Sequence, residues 1–64
     1  MKYKIEIWQW HSISETYESD NIEDILDWYK LNWSYCYEMG QCAFNVYENE
    51  RELSFEEENS FGFH

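Results

Sequence analysis

The chain has 64 residues, 14 of them acidic and only 4 basic, so its formal net charge is −10, yet 22% of it is aromatic. A chain this short forms one domain, buries about 60% of the surface its unfolded form exposes and leaves no room for a walled substrate cleft. The acid excess opposes direct binding to nucleic acid and to anionic membrane surfaces, while the Trp, Tyr and Phe content supplies a core that disordered acidic chains lack.

Residues 2–10 alternate, with Tyr3, Ile5 and Ile7 on one face and Lys2, Lys4 and Glu6 on the other, the pattern of a half-buried strand. The start carries no long apolar run, so no signal peptide or membrane span is expected. Residues 11–19 are polar and read as a loop. From Asp20 the period changes: Ile22, Ile25, Leu26, Tyr29 and Trp33 fall on one helix face, with Asp20, Glu23, Asp24 and Asp27 opposite. Asp20 with Glu23 forms a capping pair, with Ser19 as the alternative cap. Trp28 lies on the flank, and Leu31 points out among the acids.

Residues 34–41 are rich in Tyr and read either as a loop or as an extension of the following strand. The last third reads as a hairpin turning at Asn49-Glu50. Glu48 then lies opposite Arg51, Val46 opposite Leu53 and Phe44 opposite Phe55. The tail from Asn59 to His64 is frayed or folded back. The expected fold is therefore α+β: β-α-β-β, a three-stranded antiparallel sheet with one helix on one face, the first strand lying beside the third. Its core is Tyr3, Ile5, Ile7, Ile22, Ile25, Leu26, Tyr29, Phe44, Val46, Leu53 and Phe55.

Two acidic surfaces follow from this arrangement. One is the outer helix face with Asp20, Glu23, Asp24 and Asp27; the other is the hairpin with Glu48, Glu50, Glu52, Glu56 and Glu58. Same-face carboxylates repeat every ~6.7 Å along a strand and every ~5.4 Å along a helix, spacings comparable to a row of phosphates. A cleft that binds DNA through Lys and Arg accepts such a row as a decoy. The bland alternative is a solvated face that keeps a small protein soluble, but only Lys2, Lys4, Lys30 and Arg51 are available to mix the sign. Trp8, Trp10, Tyr35, Tyr37, Tyr47 and Trp28 are not needed by the core. They read as binding anchors, or as a second cluster or homodimer interface.

Cys36 and Cys42 read as reduced thiols. A zinc site with His11 and His64 is the alternative, at a spacing that matches no standard finger. No Ser/His/Asp order, phosphate-cradling glycine loop or calcium loop is present, so neither an enzyme nor a cofactor is expected.

In size, charge and element order the chain resembles the small acidic proteins with which bacteriophages disable host proteins: inhibitors of uracil-DNA glycosylase and of bacterial RNA polymerase, anti-restriction and anti-CRISPR proteins. The resemblance implies a non-enzymatic, phage-encoded DNA mimic acting in the host cytoplasm on a basic nucleic-acid-binding protein. No shared motif accompanies it, so it carries no residue roles. The competing reading is an interaction module or homodimer built on the Trp and Tyr residues.

Overall fold

The computed structural model describes residues 1–38 and 42–64, with the backbone alone described over 34–38. The elements are β1 (Tyr3–Gln9), β2 (Ser12–Ser19), α1 (Ile22–Glu38), β3 (Cys42–Glu48), β4 (Arg51–Glu52) and α2 (Phe55–Phe61). The four strands form one sheet in the order β2-β1-β3-β4, antiparallel at every pairing. The α+β class and the antiparallel sheet stand; the three strands, the single helix and the strand order are corrected.

The largest correction is β2. Residues 11–19 are not a loop: they pair with β1 from Ser12↔Gln9 to Ser19↔Tyr3. The two-residue turn at Trp10-His11 contains no glycine, and Trp10 itself takes the positive φ (61°) that such a hairpin requires. The missing strand also explains the wrong order. Each antiparallel strand reverses the chain, so omitting β2 inverts the direction of everything after it. With β2 present, β3 arrives antiparallel to β1 and pairs with it directly, Ile5 opposite Val46 and Ile7 opposite Phe44.

Tyr3, Ile5 and Ile7 point to one face and are buried there with Ile25, Tyr29, Val46 and Leu53. Ile22, Leu26, Trp33 and Phe44 pack around them half-buried, as the apolar stripe of α1 demands. Helix α1 begins at Ile22, and Asn21 O accepts from Ile25 N at 3.4 Å. Neither expected cap holds. Ser19 Oγ accepts from Asn21 N (3.1 Å) and donates to Asp24 Oδ2 (2.9 Å), while Asp20 Oδ1 accepts the backbone N–H of Lys2 (2.9 Å). Beyond residue 33 the helix continues to Glu38, through a stretch expected to be loop or strand.

The hairpin turn at Asn49-Glu50 is as expected. Both residues have positive φ (51° and 70°), and Glu48 faces Arg51. The partnership of Phe44 with Phe55 is not formed. Strand β4 ends at Glu52 because Ser54 and Glu57 make a reciprocal capping box that starts α2. Phe55 is left 66% exposed in the first turn, its ring 4.3 Å from that of His64. At the other end of α2, Gly62 adopts φ 100°, donating to Asn59 O while Phe63 N donates to Glu58 O. That Schellman turn needs the left-handed backbone that glycine tolerates. It folds the tail back and sends Phe63 into the core at 3% exposure, against Tyr29 and Phe44. Burying a side chain of that size contributes about 2–3 kcal/mol, so the tail is a structural element.

Candidate functional site

Both helices cover the same face of the sheet, where the core lies. Cross-strand pairing places Lys4, Glu6 and Trp8 of β1 on the other face, beside Glu18 and Thr16 of β2, Tyr47 and Asn45 of β3 and Glu52 of β4. The centre of this face is a closed polar network. Lys4 Nζ lies 3.2 Å from Glu6 Oε2, and the Tyr47 hydroxyl donates to Glu6 Oε1 at 3.0 Å. The Asn45 amide, oriented by its hydrogen bonds, donates to Glu52 Oε1 at 3.1 Å. Burial pushes the Glu6 carboxyl up, but hydrogen bonds from Lys4 and Tyr47 and the Lys4 charge outweigh it and hold it below 4.5. Burial, then the hydrogen bond to Glu6, pushes the Tyr47 phenol up. Tyr47 is therefore half-buried and committed to Glu6, and is not a free aromatic anchor.

Next to this network an open depression of about 460 Å³ is lined by Met1, Lys2, Lys4, Glu6, Glu18, Tyr47 and Glu50. Its walls carry both signs. Lys2 and Lys4 thus line this depression, Lys2 Nζ lying 5.2 Å from the centre of the Tyr3 ring, and Arg51 is bound by both terminal guanidinium nitrogens to Glu57, at 3.0 and 2.7 Å. Helix α1 carries one cation, Lys30, which the helical period places beside Glu23 and Asp27.

The expected acidic row of the hairpin does not form. Glu48 turns to the helix side of the sheet, Glu50 occupies the turn, Glu52 lies on the open face and Glu56 sits exposed on α2. Glu58 is buried at 8% exposure with Oε1 2.9 Å from His64 Nε2. The helix row does form: Glu23, Asp24 and Asp27 are all exposed, with exposed Asp20 just before the helix. Among the described residues no ion pair reaches any of the four.

Strand β2 adds acids that the loop reading had no reason to place. Glu15 and Glu18 are exposed, and Tyr17 stacks on Trp28 of α1 at 5.4 Å with the rings 4° from parallel. That stack, with the Ser19–Asp24 hydrogen bond, sets the Asp24, Trp28 and Leu31 flank of α1 alongside β2, while Asp27, about 100° round the helix from Trp28, faces outward with Glu23 and Lys30. Glu15, opposite Ile7, and Asp24 therefore stand on the helix side, whereas Glu18, opposite Lys4, belongs to the open face.

The two tryptophans of the first strand part company. Trp8 is half-buried on the open face, its buried Nε1 outside ordinary hydrogen-bond geometry but helping to hold the Glu6 carboxyl down. Trp10 is not in the strand at all; it sits in the turn, 64% exposed, near Ile13 at 46%. The side chains of Tyr35, Tyr37 and Cys36 lie outside the described residues. Cys42 opens β3 half-buried, opposite Gln9. Among the described residues no group of three or more His, Cys, Asp or Glu side chains is placed to hold a metal ion, and no helix is long and apolar enough to cross a membrane.

In comparisons with known proteins, no family model, no curated protein and no solved structure matches the chain.

Proposed function

We propose that this protein is a non-enzymatic inhibitor, encoded by a bacteriophage and acting in the host cytoplasm, that occupies the basic nucleic-acid-binding surface of a host protein. The observation that carries the reading is the exposed acidic flank. Asp20, Glu23, Asp24 and Asp27 are exposed and outside every described ion pair, while Lys4 and Arg51 are bound to other carboxylates. A surface kept only for solubility mixes its signs; here Lys30, three residues after Asp27, is the one Lys or Arg of α1 set among these acids. Carboxylates on successive helical turns stand ~5.4 Å apart, close enough to phosphate spacing for a Lys- and Arg-lined groove to accept them. Charge gives fast, salt-sensitive association.

The experiment is capture of tagged protein from a bacterial lysate at low and high salt, with added DNA as competitor. The reading predicts one nucleic-acid-binding partner, lost at high salt and displaced by DNA. Charge reversal at Asp24 and Asp27 abolishes its capture without unfolding the domain. A partner retained at high salt and indifferent to DNA overturns it.

A second reading is favoured by Trp10 alone. A bulky side chain held at φ 61° and 64% exposed is costly to present to water, and strain of this kind gathers at binding sites. In that reading Trp10 is the anchor of an apolar interface to another protein or to a second copy, and the acids provide solubility. Salt dependence separates the two, because an apolar contact hardly responds to ionic strength.

A further inference from the structure

The two edges of the sheet are treated differently. Strand β4 has only two residues, Arg51 and Glu52, before α2 takes over, so that edge is short. Strand β2 has eight residues and, among the described residues, pairs only with β1, so every second residue turns its N–H and C=O outward along the other edge. Proteins usually blunt a long edge with lysine, proline, a bulge or a covering element. Ser12–Ser19 holds no lysine, arginine or proline. It carries a bulge at Ser14, between the Ile7↔Glu15 and Trp8↔Ile13 pairs, and the charged Glu15 and Glu18, but from Glu15 to Ser19 the ladder is regular.

What lies beside that edge narrows the occupant. On the helix side, the flank of α1 next to β2 presents Asp24 and Leu31, the latter 80% exposed, beside the Tyr17–Trp28 stack. Glu15 and Glu18 project from β2 itself. A strand added ~4.8 Å outside β2 has its helix-side residues beside Glu15, Asp24 and Leu31. Its other residues lie beside Glu18 or Thr16 on the open face.

We propose that the outer edge of β2 accepts an extended, basic segment of another protein as an added strand. Main-chain hydrogen bonds to β2 supply affinity and register, while Lys or Arg side chains meet Glu15 and Asp24. The proposal rests on the basic-partner reading above and specifies how that partner is held. It also gives Leu31 a role, as the apolar contact for the aliphatic stem of a Lys or Arg. A second copy of the chain is the wrong occupant. Pairing β2 with itself brings the Glu15, Glu18 and Asp24 sets of two molecules together, each at net charge −10, and like charges across a strand pair are destabilising.

The probe is a peptide of about ten alternating Lys and Val residues, titrated into the isotope-labelled full chain at low salt and followed by amide exchange. The outward-facing amides between Glu15 and Ser19 should slow by about tenfold or more, the mark of new hydrogen bonds in an opening-limited exchange. Two controls isolate the mechanism. A fully N-methylated copy of the peptide keeps the charges, loses every amide donor, and should fail to protect β2. The double variant Glu15→Gln with Asp24→Asn, both positions exposed and the asparagine still able to accept from Ser19 Oγ, should weaken the unmodified peptide by about tenfold. Equal binding of the N-methylated peptide, or protection confined to other elements, overturns the proposal. Concentration-dependent dimerisation with β2 protected in the absence of peptide overturns the choice of occupant. Repeating the exchange on the complex captured from lysate separates the two claims. A DNA-displaceable partner that leaves β2 unprotected removes the added strand and leaves the inhibitor reading standing.

Discussion

Trp10 occupies a backbone conformation that suits glycine and gives up most of its side chain to water. A left-handed φ costs a non-glycine residue about 1–2 kcal/mol, and here little burial offsets it, since 64% of the residue is exposed. Replacing it should therefore separate stability from binding. Trp10→Gly relieves the strain at the cost of extra chain entropy in the unfolded state. The net effect should be about 1 kcal/mol of added stability by urea unfolding. The same variant should bind a captured partner about tenfold more weakly if Trp10 seats in it. A loss of stability instead means that Trp10 holds the hairpin through packing. Alternation along residues 2–10 was enough to put Tyr3, Ile5 and Ile7 inside. It could not tell that the strand stops at Gln9, because a bulky aromatic at a hairpin turn breaks the residue preferences by which turns are read.

The same limit explains which elements were legible. Helix α1 announced itself because Ile22, Ile25, Leu26, Tyr29 and Trp33 keep a single period over three turns. Strand β2 did not. As an edge strand it buries one residue, Ser19, and half-buries Tyr17, so hydrophobic alternation is nearly absent and the sequence resembles a loop. Its partial signals were Ile13, Thr16 and Tyr17, residues that favour a pleated surface. The acidic flank on α1 was legible for the same reason as the helix, and the placement of Glu15 and Glu18 was hidden with β2. Helix α2 carried a clear signal in Ser54-Phe55-Glu56-Glu57, the capping-box pattern, which a hairpin reading overrode. Its start is held by charge. The Arg51 fork, followed by the Ser54 backbone N–H, draws the Glu57 carboxyl from 4.5 down to about 2. Folded Glu57 thus binds its proton less tightly than unfolded Glu57. The pairing stabilises the fold fully above pH 4.5, weakens as pH falls, and is gone below about 2. Urea unfolding of Glu57→Gln against the parent across that range should show a deficit at neutral pH that shrinks steadily and vanishes near pH 2. A deficit independent of pH would assign the effect to the neutral cap bonds.

At the scale of the molecule, charge acts over distances comparable to the protein itself. The domain measures 28 × 20 × 19 Å, and the screening length falls from about 30 Å at 0.01 M salt to about 3 Å at 1 M. At low salt every carboxylate therefore feels every other, and at high salt only contact pairs survive. With net charge −10 and two described Lys or Arg ion pairs, of which Arg51–Glu57 is well exposed, the repulsion removed by salt should exceed the attraction lost. Stability should rise by about 1 kcal/mol between 0.01 and 0.5 M salt, and the Tm by about 5 °C. Binding to a basic partner should move the other way over the same range, because the contacts being screened are then attractive. The opposed slopes form the test. Calorimetry and partner affinity measured in parallel should cross, with the fold strengthening as the complex weakens. If stability instead falls with salt, local pairs dominate the field of the whole surface. The acids would then be better matched within the fold than the separation of Lys4 and Arg51 from the α1 flank indicates, and the case for an outward-facing anionic surface would weaken with them.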